Sequence, residues 1–257
     1  INLDRIFDNP VVIVSDSSFN GGQPVAVRIR NVDGDSFEMR LQEPSYLNDR
    51  HQAETLSWMV IEAGNYQLAD GTRLSAGTAS TDQLSSQGFE TVDFTSPFAA
   101  TPTVLTQAQS SNDPDWVVNR TDAITGTSFR LAMQEEELLN SGVHQPETIG
   151  WLAVEQGNAD DGDTLIEAGR TASTFSHNAA MVTFSQAFAA TPAIFAKLDS
   201  FNDPDTANLR LDAFSSNGFS ALVQEEKSLD FEEIHGGESV SFLALQDRFG
   251  TLLALQL

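Results

Sequence analysis

The feature that most constrains this chain is a statement made three times. The run "PFAATP" (Pro97 to Pro102) returns 90 residues later as "AFAATP" (Ala187 to Pro192), and a shortened "IFDNP" ends at Pro10. Downstream, Asn20, Asn112 and Asn202 are each followed eight residues on by Arg28, Arg120 and Arg210, and nine further on by Phe37, Phe129 and Phe219. Gln42-Glu43, Gln134-Glu135 and Gln224-Glu225 come next. After a loop of variable length stand "HQAETLSW" (His51 to Trp58), "HQPETIGW" (His144 to Trp151) and "HGGESVSF" (His235 to Phe242). Anchors at fixed offsets, with length changes confined to loops, identify three diverged copies of one unit of about ninety residues. The expected bounds are 1–66, 67–157 and 158–257. A leucine-centred linker strand leads into the second and third copies. The first has none before Ile1, so the C-terminal "GTLLALQL" is expected to supply its missing strand and close a ring head to tail.

Within a copy the patterning is that of strands. "PVAVRIRNV" (Pro24 to Val32) and "SFEMRLQE" (Ser36 to Glu43) alternate apolar and polar residues at period two. Asp33-Gly34, Thr125-Gly126 and Asn217-Gly218 recur between the Arg strand and the Phe strand, which predicts a tight hairpin with positive φ. "SWMVIEAG" and "GWLAVEQG" are apolar on both faces, as for a strand set between its own core and a neighbouring copy. No stretch sustains helical periodicity. The expected fold is all-β: three antiparallel β-sandwich repeats around a pseudo-threefold axis, a single-chain trimer and a compact monomer.

Composition bounds the partners. A net charge of −24 with only 13 Lys+Arg repels phosphate backbones and anionic membranes, so neither nucleic acid nor membrane is an expected partner. No apolar run approaches the roughly 20 residues of a spanning helix. With no Cys, disulfides and thiolate chemistry are excluded. The start at Ile1, without initiator Met or signal segment, suggests a piece processed from a longer, secreted protein.

At this point the sequence resembles the H-type lectin domain, the β-sandwich of snail agglutinins and of the C-terminal part of discoidins. The likeness rests on "VDFTSPFAATPTVL" (Val92 to Leu105), the Arg strand, Gly218-Phe219 and the closing "SWMVIEAG" or "GWLAVEQG". It covers nearly the whole chain, three times over. The resemblance implies trimer-like assembly and galactose-type sugar sites near the interfaces. Carried over residue by residue, those sites fall on Asn20, Arg28, Tyr46 and His51, on Asn112, Arg120 and His144, and on Asn202, Arg210 and His235. Tyr46 has Leu138 and Ser228 as its counterparts, so the three sites are expected to be unequal.

Each candidate also has a plainer reading. A guanidinium fork suits sugar hydroxyls or an anion, but also an ordinary salt bridge to one of 37 acids. The histidines can bond a hydroxyl, or their own Glu54, Glu147 or Glu238. Trp58, Trp151 and Phe242 read as core. Trp116, Phe201 and Phe19 are better placed as sugar-stacking platforms. Asp113 with Asp115, Asp203 with Asp205, and Asp160, Asp161 and Asp163 are read as solvated turn acids, with a structural Ca²⁺ as the other possibility. The pairs Glu43/Glu54, Glu135/Glu147 and Glu225/Glu238 could serve a glycosidase, but a constellation written three times suits multivalent binding better than one catalytic centre. The expectation is therefore a non-catalytic module, without cofactor, that binds an extracellular polysaccharide or oligosaccharide. The alternatives are a structural or adhesive protein-binding β-module and a glycosidase or lyase fragment.

Overall fold

The computed structural model describes residues 1–160, 164–246 and 255–256. Among these, regular structure is strand throughout, apart from one 3-10 turn at Ser85–Gln87. No described helix is long and apolar enough to cross a membrane. A first set of strands comprises β1 (Pro10–Val14), β2 (Ala26–Asp33), β3 (Ser36–Gln42) and β4 (Trp58–Glu62). The second runs β5 (Gly64–Gln67), β6 (Arg73–Thr81), β7 (Glu90–Asp93), β8 (Thr103–Ala108), β9 (Val117–Asp122), β10 (Ser128–Glu135) and β11 (Glu147–Val154). The third is β12 (Gly157–Asp160), β13 (Leu165–Arg170), β14 (Ala180–Thr183), β15 (Ala193–Leu198), β16 (Ala207–Ser215), β17 (Gly218–Glu225) and β18 (Val240–Leu245), followed by β19 (Leu255–Gln256).

All pairing between these strands is antiparallel, and one pattern recurs. The second set forms sheets β7-β10-β9 and β5-β6-β11-β8; the third forms β14-β17-β16 and β12-β13-β18-β15. Among the described residues the first contributes only β2-β3 and β1-β4, the same two sheets with fewer strands. Strand β5 straddles the expected boundary at 66/67 and belongs to the second set through its hairpin with β6. The expected C-terminal strand lies mostly outside the described residues. Its described part, β19, pairs Leu255 with Gln67 and Gln256 with Tyr66, and so extends the edge of the second set's sheet.

Each set buries its own core between its two sheets. Phe129, Ile149 and Trp151 belong to one cluster, and Phe219, Val240 and Phe242 to another. A further cluster is shared: Val11 and Ile13, Leu105, Leu152 and Val154, and Ile166, Phe195 and Leu243 meet in it. Strands β11 and β18 therefore divide alternate side chains between a private core and a common one, as their two-faced apolarity predicts.

Of the three hairpin glycines only Gly218 has a positive φ, at 154°; Gly34 and Gly126 act through close approach. A Cβ on Gly34 would lie 2.6 Å from the Phe7 carbonyl oxygen, and one on Gly126 2.6 Å from that of Phe98. The left-handed residues are instead Asn31, Ala123 and Ala213, at φ 50°, 46° and 50°, just before each turn. Two of them lie where the ladder slips register, between Arg30 and Asp33 and between Asp212 and Ser215.

The three closing aromatics diverge. Trp151 and Phe242 are buried, lying across the strand opposite Gly77 and Gly169, whereas Trp58 is 40 % exposed because β4 has no strand in that place among the described residues. Trp58→Ala is accordingly expected to cost only about 1–2 kcal/mol, a half-buried side chain's worth, measured as a shift in the urea midpoint.

Candidate functional site

The residues that recur most strictly come together at three seams between the strand sets. Arg28, on β2, reaches into the second set. Its Nη1 donates to the Asp115 carbonyl at 2.6 Å, and its Nη2 to Ser111 Oγ and the Asp113 carbonyl at 3.1 Å and to Glu147 Oε1 at 3.3 Å. Arg120, on β9, reaches into the third, donating to the Ser200 carbonyl at 3.0 Å and Glu238 Oε1 at 2.7 Å. Arg210, on β16, reaches back into the first. It donates to the Ser18 carbonyl at 2.7 Å, the Gly21 carbonyl at 3.0 Å and Glu54 Oε1 at 2.8 Å. The order is cyclic: first to second, second to third, third to first. Arg28, Arg120 and Arg210 are 2 %, 0 % and 0 % exposed.

Each receiving carboxylate is saturated. Glu54 accepts from Ser18 Oγ at 2.5 Å, from the Asn20 and Gly21 amides at 2.9 and 2.8 Å, and from His51 Nε2 at 2.9 Å. Glu147 is held the same way by Ser110, the Asn112 amide at 2.9 Å and His144 Nε2 at 3.4 Å. Glu238 is held by Ser200, the Asn202 amide at 3.1 Å and His235 Nε2 at 3.4 Å. The opposite ring nitrogen of each histidine meets the glutamate of the Gln-Glu pair: Glu43 at 3.1 Å, Glu135 at 2.6 Å and Glu225 at 2.7 Å. Every seam thus carries one hydrogen-bonded chain, Arg–Glu–His–Glu, with its side chains buried.

The electrostatics follow from that packing. Burial alone would lower the His144 pKa, but hydrogen bonds to Glu135 and Glu147 outweigh it and raise the imidazolium to about 9. His235 is raised by Glu238 and Glu225 against the same opposing burial. For Glu238, burial pushes up, while His235, Arg120, Ser200 and the Asn202 amide pull down further, to about 2. Desolvation lowers Arg210 to about 10, which leaves it charged at neutral pH.

The expectation that strand alternation turns the three arginines toward a ligand is therefore corrected. Around these arginines both faces of β2, β9 and β16 are covered, one by the core and one by the next set, and the salt-bridge reading of the arginines and the Glu-bonded reading of the histidines describe the contacts. The carboxylate pairs Glu43/Glu54, Glu135/Glu147 and Glu225/Glu238 flank buried imidazoles and have no open face. Asn20, Asn112 and Asn202 are exposed, yet each side-chain amide clamps the loop before its glutamate, donating to the Ala53, Pro146 and Gly237 carbonyls at 3.0, 2.6 and 2.7 Å. Tyr46 is exposed, and its hydroxyl accepts from the Lys227 amide at 3.0 Å.

The stacking platforms are corrected too. Trp116 is buried and donates through Nε1 to the Gln42 carbonyl at 3.0 Å. Phe19 and Phe201 carry the Arg210 and Arg120 guanidiniums on their rings at 5.0 Å. Asp113 and Asp203 cap their own loops, accepting from the Asp115 and Asp205 amides at 3.2 and 3.3 Å. Asp161 and Asp163 lie outside the described residues. Asp203, Glu225 and His235 offer ligand atoms within 4.8 Å of one another, but both ring nitrogens of His235 are engaged by Glu225 and Glu238. Sequence reading overlooked Ser18, Ser110 and Ser200, although a Ser two residues before each recurring Asn was legible.

No family model and no solved structure matches this chain significantly. It is similar to Halomucin of Haloquadratum walsbyi, with 32 % identity over 257 residues that cover 95 % of this chain and 3 % of that protein. The chain thus corresponds to a small fraction of the curated relative it matches.

Proposed function

We propose that the chain is a non-catalytic, extracellular structural or adhesive module: three copies of one β unit locked into a pseudo-threefold ring that presents loops to a protein partner. The observation that carries this reading is the cyclic set of buried Arg–Glu bridges. The most strictly repeated polar residues face inward, so repetition serves cohesion rather than a threefold ligand site. The loops after β3, β10 and β17 also meet at one end, where Ser45 donates its amide to Glu136 at 2.5 Å and Leu138 its amide to Ser228 Oγ at 3.0 Å. From them project Leu138, Val143, Leu229, Phe231 and Ile234, all exposed. Apolar side chains grouped this way favour protein contact. The name Halomucin and the strong acidity support an extracellular setting.

Two measurements test it. Excised 64–156 is expected to be unfolded by near-UV circular dichroism, while the whole chain unfolds in one transition and scatters X-rays as one compact body; a folded fragment or three separated lobes would overturn the ring. In affinity gels containing galactose-bearing and other polysaccharides, unchanged mobility is expected. Retardation abolished by joint Asn20→Ala, Asn112→Ala and Asn202→Ala would instead establish carbohydrate binding at the exposed asparagines.

A further inference from the structure

Among the described residues the final strand is flanked on both sides in two sets and on one side in the other. Strand β11 lies between β8 and β6, and β18 between β15 and β13, whereas β4 pairs only with β1 among the described residues. The direction of its free edge follows from the ladder. The Ser57 carbonyl accepts from the Ser15 amide at 2.8 Å, and the Ala63 amide donates to the Asn9 carbonyl at 3.0 Å, so odd-numbered residues face β1. By antiparallel alternation Trp58 and Val60 turn their N–H and C=O groups outward. No residue of β4 is fully buried, whereas β11 and β18 are buried over most of their length.

The filled edges show what such an edge accepts. Trp151 stands opposite Gly77 and Phe242 opposite Gly169. A Cβ on either glycine would lie 2.6 Å from the facing aromatic ring, so the ring occupies the space that any other residue's side chain would need. Three residues before each glycine stands an aliphatic side chain, Leu74 or Ile166, that enters the shared core. Trp58 follows the His-x-x-Glu motif at the same distance as Trp151 and Phe242, packs edge-on against Phe37 at 5.5 Å as Trp151 does against Phe129 at 5.9 Å, and lacks the glycine.

We propose that the free edge of β4 is a strand-acceptor site: it takes an extended segment of a separate polypeptide by antiparallel addition, with a glycine opposite Trp58 and an aliphatic residue three positions earlier. Main-chain bonds to Trp58 and Val60 supply the affinity, and the glycine requirement supplies the register. The surface is distinct from the loop end and does not depend on what the loops bind.

The probe is a synthetic peptide of residues 73–81, Arg-Leu-Ser-Ala-Gly-Thr-Ala-Ser-Thr, titrated into the whole chain. Trp116 and Trp151 are buried, so acrylamide quenching reports on Trp58. Saturable protection of Trp58 is expected, together with slowed hydrogen exchange at the Val60 amide. The same peptide carrying Gly77→Val should bind at least tenfold more weakly. Absence of saturable protection, or equal binding by the valine peptide, would overturn the proposal. So would a Val60 amide already protected before peptide is added, since another stretch of the same chain would then hold the edge.

Discussion

Glu238→Ala is expected to lower the unfolding free energy by about 3–5 kcal/mol, the cost of stripping a buried charge of its partner. The loss is large because one carboxylate serves five groups, the Asp203 amide at 3.4 Å among them. Its Oε1 takes Arg120 Nη2 at 2.7 Å from across the seam, and it also holds His235, Ser200 and the Asn202 amide. Without it a guanidinium stays buried with its charge uncompensated. Glu238→Gln keeps an acceptor but not the charge, and should fall between the parent and the alanine variant. Arg130→Ala, which breaks the solvent-exposed bridge to Asp122, should cost no more than about 1 kcal/mol. Urea titrations of the three variants check the order. A Glu238→Ala loss as small as that of Arg130→Ala would mean that the seams do not hold the molecule together.

Stability should also pass through a maximum in mildly acidic solution. His144 has its pKa raised from 6.5 to about 9. A group raised on folding contributes fully below its unfolded pKa, and the contribution is lost as pH climbs through the folded one. The decline therefore runs from about pH 6.5 to about pH 9 and amounts to roughly 3 kcal/mol for this residue. Glu137 begins the decline at lower pH: burial first, then Glu226, Asp205 and Asp230, raise it from 4.5 to about 7, so its contribution is lost between about pH 4.5 and pH 7. Glu238 works in the other direction. Depressed from 4.5 to about 2, it stabilises above pH 4.5, and that contribution disappears as the solution is acidified toward pH 2. Urea midpoints measured from pH 3 to pH 10 should show both limbs. His144→Gln should flatten the part of the alkaline limb between pH 7 and pH 9 while leaving the acid limb in place; an unchanged alkaline limb would mean that His144 is not held as the cation.

The strand content, the hairpin between the Arg and Phe strands, and the two-faced character of the last strand were all legible in the sequence. Each is a local property: period-two alternation, turn residues and runs without polar interruption express how a few neighbouring residues meet water and one another. The recurrence of Arg28, Arg120 and Arg210 was equally plain, and so was that of His51, His144 and His235. What these residues face was not. Alternation records that a side chain leaves its own core, but it cannot distinguish water from the surface of the next strand set about ninety residues away. Only the tertiary packing turned an outward arginine into a seam arginine, because a guanidinium reaches Glu147, Glu238 or Glu54 only once the sets are docked. The same holds for the closing aromatics. Their sequence contexts are alike, yet Trp151 and Phe242 are buried and Trp58 is not, since an aromatic ring is covered by the strand beside it, and that strand is fixed by the fold rather than by the residues around the ring.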